Sequence, residues 1–493
     1  MNNIVSTIFM FFNICSAGYV VIVSVTYLIQ LFYAFLGLRK YKKSLDYSTS
    51  ARFIESENIV PISILVPAFN EVETICDTVK NLLSLDYPNY EIIVINDGSN
   101  DETLNELIEK FNLVSIDEPF KTSIKTEKVQ AIYRSVEHIN LVVIDKENGG
   151  KADALNAGIN LSQYPVFVSV DADCILEDTS LIRIVYSFMN DPDCVAIGGT
   201  VRINSGCQIE NGKLKSVSLT GNALFTIQTN EYLRDFLTGR IALNEMGTLL
   251  IISGAFGAFK KQAVIDVGGY TTKCIGEDIE LVVKLHKNSF QKNLGSTIRF
   301  MPDPVCWTQP PDNLKDLVKQ RKRWHIGLAD TLLKHRDMIL NPKYKKIGMM
   351  TLPYFCFFDF IGPVIEMLGY FFIPLSWALG ILDVKFMLGF YSLGLLYGTI
   401  LSVGSLLLEE NIFGKYPKLR DILKLFFFAI IDNLGYRQIM TIIKIVAMFR
   451  FSKNKNQWGN IKRRKYNKEQ INNPWFYLKS RVCFIWLSRI KSG

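Results

Sequence analysis

The sequence predicts an α/β domain, a mostly parallel sheet with helices on both faces, set between α-helical transmembrane and interfacial segments. Three observations carry that reading. Between residues 55 and 335, short β-branched runs alternate with helical patterns. Residues 4–38, up to the first charged side chain at Arg39, are almost wholly apolar or small, and a second oily block opens near Ile347. Finally, 49% of the 493 residues are apolar and 21% are charged, which excludes a disordered or fibrous chain and is oilier than a soluble enzyme needs.

The N-terminal apolar stretch is far longer than the ~7–15-residue core of a signal peptide and fits one transmembrane helix, roughly Ala17–Leu36, within a segment 1–38. Arg39-Lys40-Tyr41-Lys42-Lys43 follows directly, so by the positive-inside rule the next region is cytoplasmic. That region, 55–335, holds the strand runs Ile62–Val66, Glu91–Ile95, Leu141–Ile144 and Val166–Val170, with helical patterns at Glu71–Leu85 and Lys151–Leu161 between them. Phe111–Asn140 is polar and reads as a surface excursion. The C-terminal membrane block, 345–450, begins with an interfacial or broken helix up to Gly362, because Pro353, Pro363 and Pro374 interrupt Met349–Ile381. A span from about Val364 to Ile381 follows, then an uncharged 23-residue span, Phe386–Leu408. Residues 422–450 carry Asp432, Asn433 and Arg437 at their centre and read as a helix on or re-entering the membrane. Asp359 and Glu366, seven apart, share a helix face, either as the wall of a polymer conduit or solvated at the interface.

The net charge of +8 is uneven. Arg450–Gly493 carries twelve Lys or Arg and one acid, leaving the rest of the chain at −3. A basic tail, 451–493, on a mildly acidic body argues for an anionic membrane surface and against nucleic acid as partner. Its aromatic residues, Trp475, Phe476, Tyr477, Phe484 and Trp486, interleave with Lys479, Arg481, Arg489 and Lys491 as in an amphipathic anchor. Nine scattered cysteines without a CxxC pair indicate neither a zinc ribbon nor a disulfide framework.

Polar clusters follow the strand runs in the α/β region. Val66-Pro67-Ala68-Phe69-Asn70-Glu71 ends the first, Asn96-Asp97-Gly98-Ser99 the second, Asn148-Gly149-Gly150-Lys151 follows the third, and Asp171-Ala172-Asp173 ends the fourth. In such sheets ligands sit beyond the carboxyl ends of the strands. A Gly-Gly turn opening a helix, with Lys151 beside it, suits a phosphate. Asp171 and Asp173 can face one side of a strand end and offer hard oxygen ligands for Mg²⁺ or Mn²⁺, although an isolated pair of this kind is common in solvated loops. Ser253-Gly254-Ala255-Phe256 sets small residues beside aromatics, where a flat ligand can approach the backbone. Glu277 and Asp278 form an acid pair suited to general base work, or alternatively to the dipole of a helix start. Gln320, Arg323 and Trp324 share one helix face, which suits a diphosphate and a sugar ring; Arg321 and Lys322 read as a basic interfacial surface.

The ordered set VPAFNE, NDGS, GGKADALN, DAD, GED and QRKRW resembles the membrane-embedded, processive branch of the family 2 glycosyltransferases, which includes cellulose, chitin, hyaluronan and bacterial poly-N-acetylglucosamine synthases. The resemblance covers about 55–330 and looks closest to the poly-N-acetylglucosamine type. It implies a nucleotide-sugar-binding α/β domain that takes a UDP-sugar, UDP-N-acetylglucosamine or UDP-glucose. Pro67, Ala68, Asn70, Glu71 and Asp97 would hold the uridine, Lys151 the phosphates, and Asp171 and Asp173 the nucleotide and a Mg²⁺ or Mn²⁺ ion. Asp278 would deprotonate the acceptor with support from Glu277, and Gln320, Arg323, Trp324 and Gly254 would serve the diphosphate and acceptor. Transfer would invert the anomeric carbon and extend a β-linked extracellular polysaccharide, in a multi-pass protein of the plasma membrane with a cytoplasmic catalytic domain, which would export the product with accessory subunits. A single transfer to a membrane lipid, giving a glycolipid, is the alternative; a non-catalytic scaffold or transport component is more remote. The motif continues as His325-Ile326-Gly327 where some members carry a glutamine or glycine pair.

Overall fold

The structure, a computed structural model, describes residues 3–48, 59–117, 119–120, 122–210 and 212–449. The basic tail and its Trp458-Gly459 segment lie outside the described residues. The strands are β1 (Ile62–Ala68), β2 (Tyr90–Asp97), β3 (Leu113–Ile116), β4 (Val129–Ser135), β5 (Leu141–Lys146), β6 (Val166–Val170), β7 (Cys174–Leu176), β8 (Cys194–Ile203), β9 (Gln208–Glu210), β10 (Lys213–Ser216), β11 (Phe256–Lys260) and β12 (Thr297–Thr308). Around them run α1 (Asn3–Ser48), α2 (Ile75–Leu83), α3 (Thr103–Lys110), α4 (Lys151–Leu161), α5 (Ser180–Asn190), α6 (Ala223–Arg234), α7 (Ile241–Glu245), α8 (Lys261–Asp266), α9 (Glu277–Gln291) and α10 (Leu314–Lys334). The chain continues as α11 (Leu352–Tyr354), α12 (Gly362–Ala378), α13 (Val384–Ile412), α14 (Leu419–Ile431) and α15 (Arg437–Phe449).

Ten strands form one sheet in the order β3-β4-β5-β2-β1-β6-β11-β8-β12-β7. The four runs legible in the sequence are its centre, β5-β2-β1-β6, and pair in parallel. Every residue of β1 is buried, which is why the run is continuously apolar rather than alternating. The flanks make the sheet mixed rather than mostly parallel. β11 is antiparallel to both β6 and β8, and β3 and β4 extend the other edge as an antiparallel pair. Those edge strands come from the segment read as a surface excursion. β4 is mostly only partly buried, so Val129-Gln130-Ala131-Ile132-Tyr133-Arg134-Ser135 keeps polar residues that mimic a loop. The segment is also tied down: Ser123 and Ile124 amides donate to Asn160 Oδ1 at 3.1 and 2.9 Å.

Among the described residues, three helices are long and apolar enough to cross a membrane: Ser6–Lys43, Ile347–Ala378 and Val384–Ile412. The break expected before Gly362 is instead a continuous helical run with wide π-turns at Ile347–Thr351 and Phe355–Ile361. Pro353 and Pro363 stand at the junctions between π- and α-helical stretches of this run, where the π-turns absorb the missing N–H and the change of register. Residues 422–450 resolve into α14 and α15, separated at Leu434 and Gly435, the latter at φ +112°.

α1 and α12 run antiparallel. Asn13 Nδ2 donates to Ser376 Oγ at 2.8 Å, and Phe12 stacks on Phe372 with centroids 4.7 Å apart. At the other end, Lys42 Nζ donates to the Asn411 carbonyl at 3.1 Å, and Tyr41 donates to Asp303 at the rim of the sheet. Glu366 of α12 pairs with Arg437 at 2.9 Å and accepts from Thr441 at 3.1 Å, so this membrane acid faces protein.

The tightest tie between sheet and membrane helices is Arg202 of β8 with Glu409 of α13, 1% and 2% exposed at their side chains. The guanidinium lies between the rings of Trp307 and Phe413. Removing one partner leaves the other charge buried and alone. Glu409→Leu should therefore cost about 3–5 kcal/mol, read as a lower thermal midpoint in detergent, and Arg202→Met added to it should restore much of the loss. An unchanged midpoint in the single variant would show that the pair does not hold the two layers together.

Candidate active site

The loops beyond β1 and β2 are knitted to each other. Asn70 turns through the left-handed region at φ 56°. Its amide donates to Ser99 Oγ at 3.0 Å, and its Oδ1 accepts from the Asn100 amide at 2.8 Å. The Glu71 amide donates to Thr103 Oγ1 at 2.9 Å. Pro67 and Ala68 lie opposite Ile95 and Asn96, so VPAFNE and NDGS form one lip at the carboxyl ends of the strands.

Asp97 behaves differently from the sequence expectation that gave it to uridine. It is fully buried, and its carboxylate accepts from the Gly149 and Gly150 amides at 3.0 and 2.7 Å. It also pairs at 2.7 Å with Lys146, which in turn reaches Asp153 at 2.7 Å. The carboxylate is engaged in bracing the Gly-Gly turn from below. Lys146 and Asp153 escaped the sequence reading; the available signal was a lysine closing the apolar run Leu141-Val142-Val143-Ile144, where a charge needs a buried partner. The turn itself demands glycine. Gly150 sits at φ +87°, and a Cβ on Gly149 would lie 2.6 Å from the Asp153 carboxylate.

α4 begins at Lys151, and its ammonium meets the Asp171 carboxylate and the Gly254 carbonyl, the latter at 3.0 Å. Burial works against its charge, but Asp171, Glu277 and Asp278 more than offset it and raise its pKa above the usual lysine value. Asp171 keeps 30% of its side chain exposed, whereas Asp173 is buried near Thr308 Oγ1 at 3.5 Å. Among the described residues no group of three or more His, Cys, Asp or Glu could hold a metal alone. Two hard carboxylates with one open to solvent fit Mg²⁺ or Mn²⁺, which bind through one or two carboxylates and complete their shell with water and substrate phosphate.

Gly254 joins this cradle to the acid pair. Its N–H donates to Asp278 Oδ2 at 3.0 Å while its carbonyl accepts from Lys151. A Cβ there would stand 2.9 Å from Lys151 Nζ and 3.1 Å from Asp278 Oδ2, so a side chain would push both out of their present positions. The neighbouring aromatics belong elsewhere: Phe256 and Phe259 are buried in the core and do not face a ligand. Glu277 and Asp278 open α9. Burial, with the adjacent Asp278 carboxylate adding to it, pushes Glu277 up to about 7, against the opposing pull of Lys151 and Arg323. The backbone of Gly276 touches that of Gly327 on α10, which sets the acid pair against the helix bearing Gln320, Arg323 and Trp324. Trp324 presents an indole 44% exposed, 6.4 Å from the ring of Tyr232 on α6. Arg321, expected on a basic surface, is instead buried against Glu231 of α6. His325, the departure from the motif, stacks on Phe360, and burial lowers its pKa to about 4. Lys151, Asp171, Gly254 and Asp278 thus stand in one connected row, with Glu277 and Arg323 acting on it, while Asp97 stands behind the turn.

Residues 60–327 match the family described as Glycosyltransferase like family 2. The chain belongs to that family and is a glycosyltransferase. It is 33% identical over 337 residues to a poly-β-1,6-N-acetyl-D-glucosamine synthase of Staphylococcus aureus, covering 68% of this chain and 69% of that one. It is 29% identical over 363 residues to the enzyme of the same name from Staphylococcus epidermidis, covering 71% and 76%. A mannosyltransferase of Pyrobaculum calidifontis, solved with GDP-mannose and Mn²⁺, aligns over 86% of this chain and 99% of its own at 17% identity and a TM-score of 0.48, too distant to add to the assignment.

Two outcomes follow from this geometry. A Cβ on Gly327 would lie 2.9 Å from Gly276 Cα, so Gly327→Ala must displace the acid pair from α10. Turnover should fall by about 10²-fold, as for a ~1 Å misplacement, while the donor KM stays near wild type; unaltered turnover would contradict the contact. The raised pKa of Glu277 means that the folded state holds a proton between 4.5 and about 7 that the unfolded chain releases. Its contribution to stability is present at low pH and lost as pH rises through that window. Thermal midpoints of Glu277→Gln should therefore fall less between those pH values than wild type, and parallel curves would sink the assignment.

Proposed function

We propose that the chain polymerises N-acetylglucosamine from UDP-N-acetylglucosamine into a β-linked extracellular polysaccharide, from an active site on the cytoplasmic face of the plasma membrane. The observation that carries this reading is the Gly254 backbone, which ties the phosphate-facing Lys151 to the candidate base Asp278. The names of the synthases most similar to the chain support N-acetylglucosamine over glucose, and a polymer over a single transfer to lipid. The basic run Arg39–Lys43 at the sheet-facing end of α1 supports the orientation.

In the proposed reaction the Pro67–Glu71 lip holds the uridine and Asp97 braces the Gly149–Gly150 turn beneath the diphosphate. Lys151 faces the phosphates, exchanging its Asp171 contact for phosphate oxygen. Asp171 and Asp173 hold Mg²⁺ or Mn²⁺, which when bound neutralises charge on the departing diphosphate. Arg323 faces the diphosphate from α10, while Gln320 and Trp324 line the acceptor site, the indole stacking the acceptor ring. Asp278 accepts the proton of the acceptor hydroxyl as its oxygen bonds to the anomeric carbon. The bond from that carbon to phosphate breaks, its electron pair leaves with UDP, and the carbon inverts. Glu277 supports the base from the preceding position. The growing polysaccharide is then both product and acceptor, with membrane lipid around α1, α12 and α13 and accessory export subunits as further partners.

Purified protein offered a panel of UDP-sugars should release UDP from UDP-N-acetylglucosamine only with a divalent ion, and mass analysis should find a polymer. Asp278→Asn should abolish release while retaining UDP binding, and EDTA should abolish it reversibly. A single-sugar glycolipid as product would favour the alternative transfer, and full turnover by Asp278→Asn would remove the base assignment.

A further inference from the structure

Arg321 lies inside the Gln320–Trp324 motif yet takes none of the expected surface role. It is 5% exposed and holds three things at once. Its Nη1 donates to Gln320 Oε1 at 3.0 Å, and its Nη2 donates to Glu231 Oε2 at 2.6 Å. Its guanidinium carbon stands 4.1 Å from the centre of the Trp324 ring, a stacked cation–π contact across one turn of α10. Glu231 Oε2 accepts a second hydrogen bond, at 3.0 Å, from the hydroxyl of Tyr436. Tyr436 directly follows the break at Leu434 and Gly435 that separates α14 from α15. Leu317, one turn before Arg321, packs with Met440 and Ile443 of α15, so the two helices are also joined by an apolar contact.

We infer that Arg321, clamped by Glu231 and Tyr436, is a positioning residue for the acceptor saccharide: it fixes the plane of the Trp324 indole and the amide of Gln320, and ties both to the break before α15. The inference rests on the reading of Trp324 as the acceptor platform. The physical reason is orientation. A sugar ring stacks on an indole only when the plane is fixed, and a partly exposed tryptophan on one face of a helix has rotamers to choose from. The planar fork of arginine holds the ring from behind while its two amino groups are pinned by Gln320 and Glu231, a combination lysine cannot reproduce. The clamp touches the acceptor side and leaves the Lys151–Asp171–Asp278 row untouched, so its loss should separate donor from acceptor properties.

The test uses the full-length purified protein with UDP-N-acetylglucosamine, following donor KM, UDP released per sugar incorporated, and product length. Tyr436→Phe removes one hydrogen bond and no volume of note, and Glu231→Gln removes the ion pair while keeping shape. Each should shorten the product and raise UDP release without incorporation by roughly two- to tenfold, the scale of one lost hydrogen bond or ion pair, with donor KM within about twofold of wild type. Arg321→Lys should do the same, and Trp324→Ala should do more. If Trp324→Ala shortens the product while Tyr436→Phe, Glu231→Gln and Arg321→Lys do not, the clamp is refuted and the acceptor platform stands. If Trp324→Ala leaves product length unchanged, the platform reading falls and the clamp falls with it. A uniform loss of activity in the clamp variants, with coupling and product length unchanged, overturns the inference in favour of a purely structural contact.

Discussion

The backbone of Gly254 is the point on which the site depends. One residue donates to Asp278 and accepts from Lys151, and a Cβ there would crowd the Lys151 ammonium and the Asp278 carboxylate and push both out of this arrangement. Lys151 in turn is oriented by the first position of α4, whose preceding Gly-Gly turn is braced by Asp97, Lys146 and Asp153. A buried triad of charges therefore fixes a turn, the turn fixes a lysine, and the lysine fixes the spacing between Asp171 and Asp278, the carboxylates proposed to serve the metal and the proton transfer. Each charge in this series has a neighbour of opposite sign or an amide, which is what allows so many to be withdrawn from water.

The same logic connects the site to the membrane. Arg202 and Glu409 join β8 to α13, and Tyr41 joins α1 to Asp303 midway along β12. α6 and α10 lie between sheet and membrane helices and meet the break before α15 through Glu231, Arg321 and Tyr436. The Gln320–Trp324 motif thus touches the Glu277–Asp278 pair on one side, through the close backbone contact of Gly276 and Gly327, and is hydrogen-bonded on the other to the C-terminal helices. A polymerising enzyme must move its product by one unit per cycle, and contacts that span both parts are where such a step would be felt.

Much of the fold was legible because its central strands are buried on both faces: Ile62–Val66 and Val166–Val170 read as apolar runs for that physical reason. β3, β4 and β11 were not legible. The first two lie at a solvated edge, and Phe256–Lys260 was read for its ligand chemistry rather than its pairing. Short polar motifs at strand ends located the site, because residues that are adjacent there need no tertiary information to be grouped. Asp97 and Arg321 were given other partners, and Glu231 none, for the converse reason. Their roles are set by partners 53, 90 and 205 positions away in the chain, which no local pattern encodes. The continuous helix over Ile347–Ala378 was missed because prolines break an α-helical pattern, whereas π-turns accommodate them.

In the proposed reaction the row from Asp171 through Gly254 to Asp278 performs a single inverting displacement, with the leaving diphosphate and the accepting carboxylate on opposite sides of one sugar. The most direct measurement is the anomeric configuration of the newly formed bond. Product made from UDP-N-acetylglucosamine labelled with ¹³C at its anomeric carbon, read by NMR before any processing, should carry only the β configuration. Retention of the donor's α configuration would contradict the account, because it would require a second displacement or a different chemistry at this site.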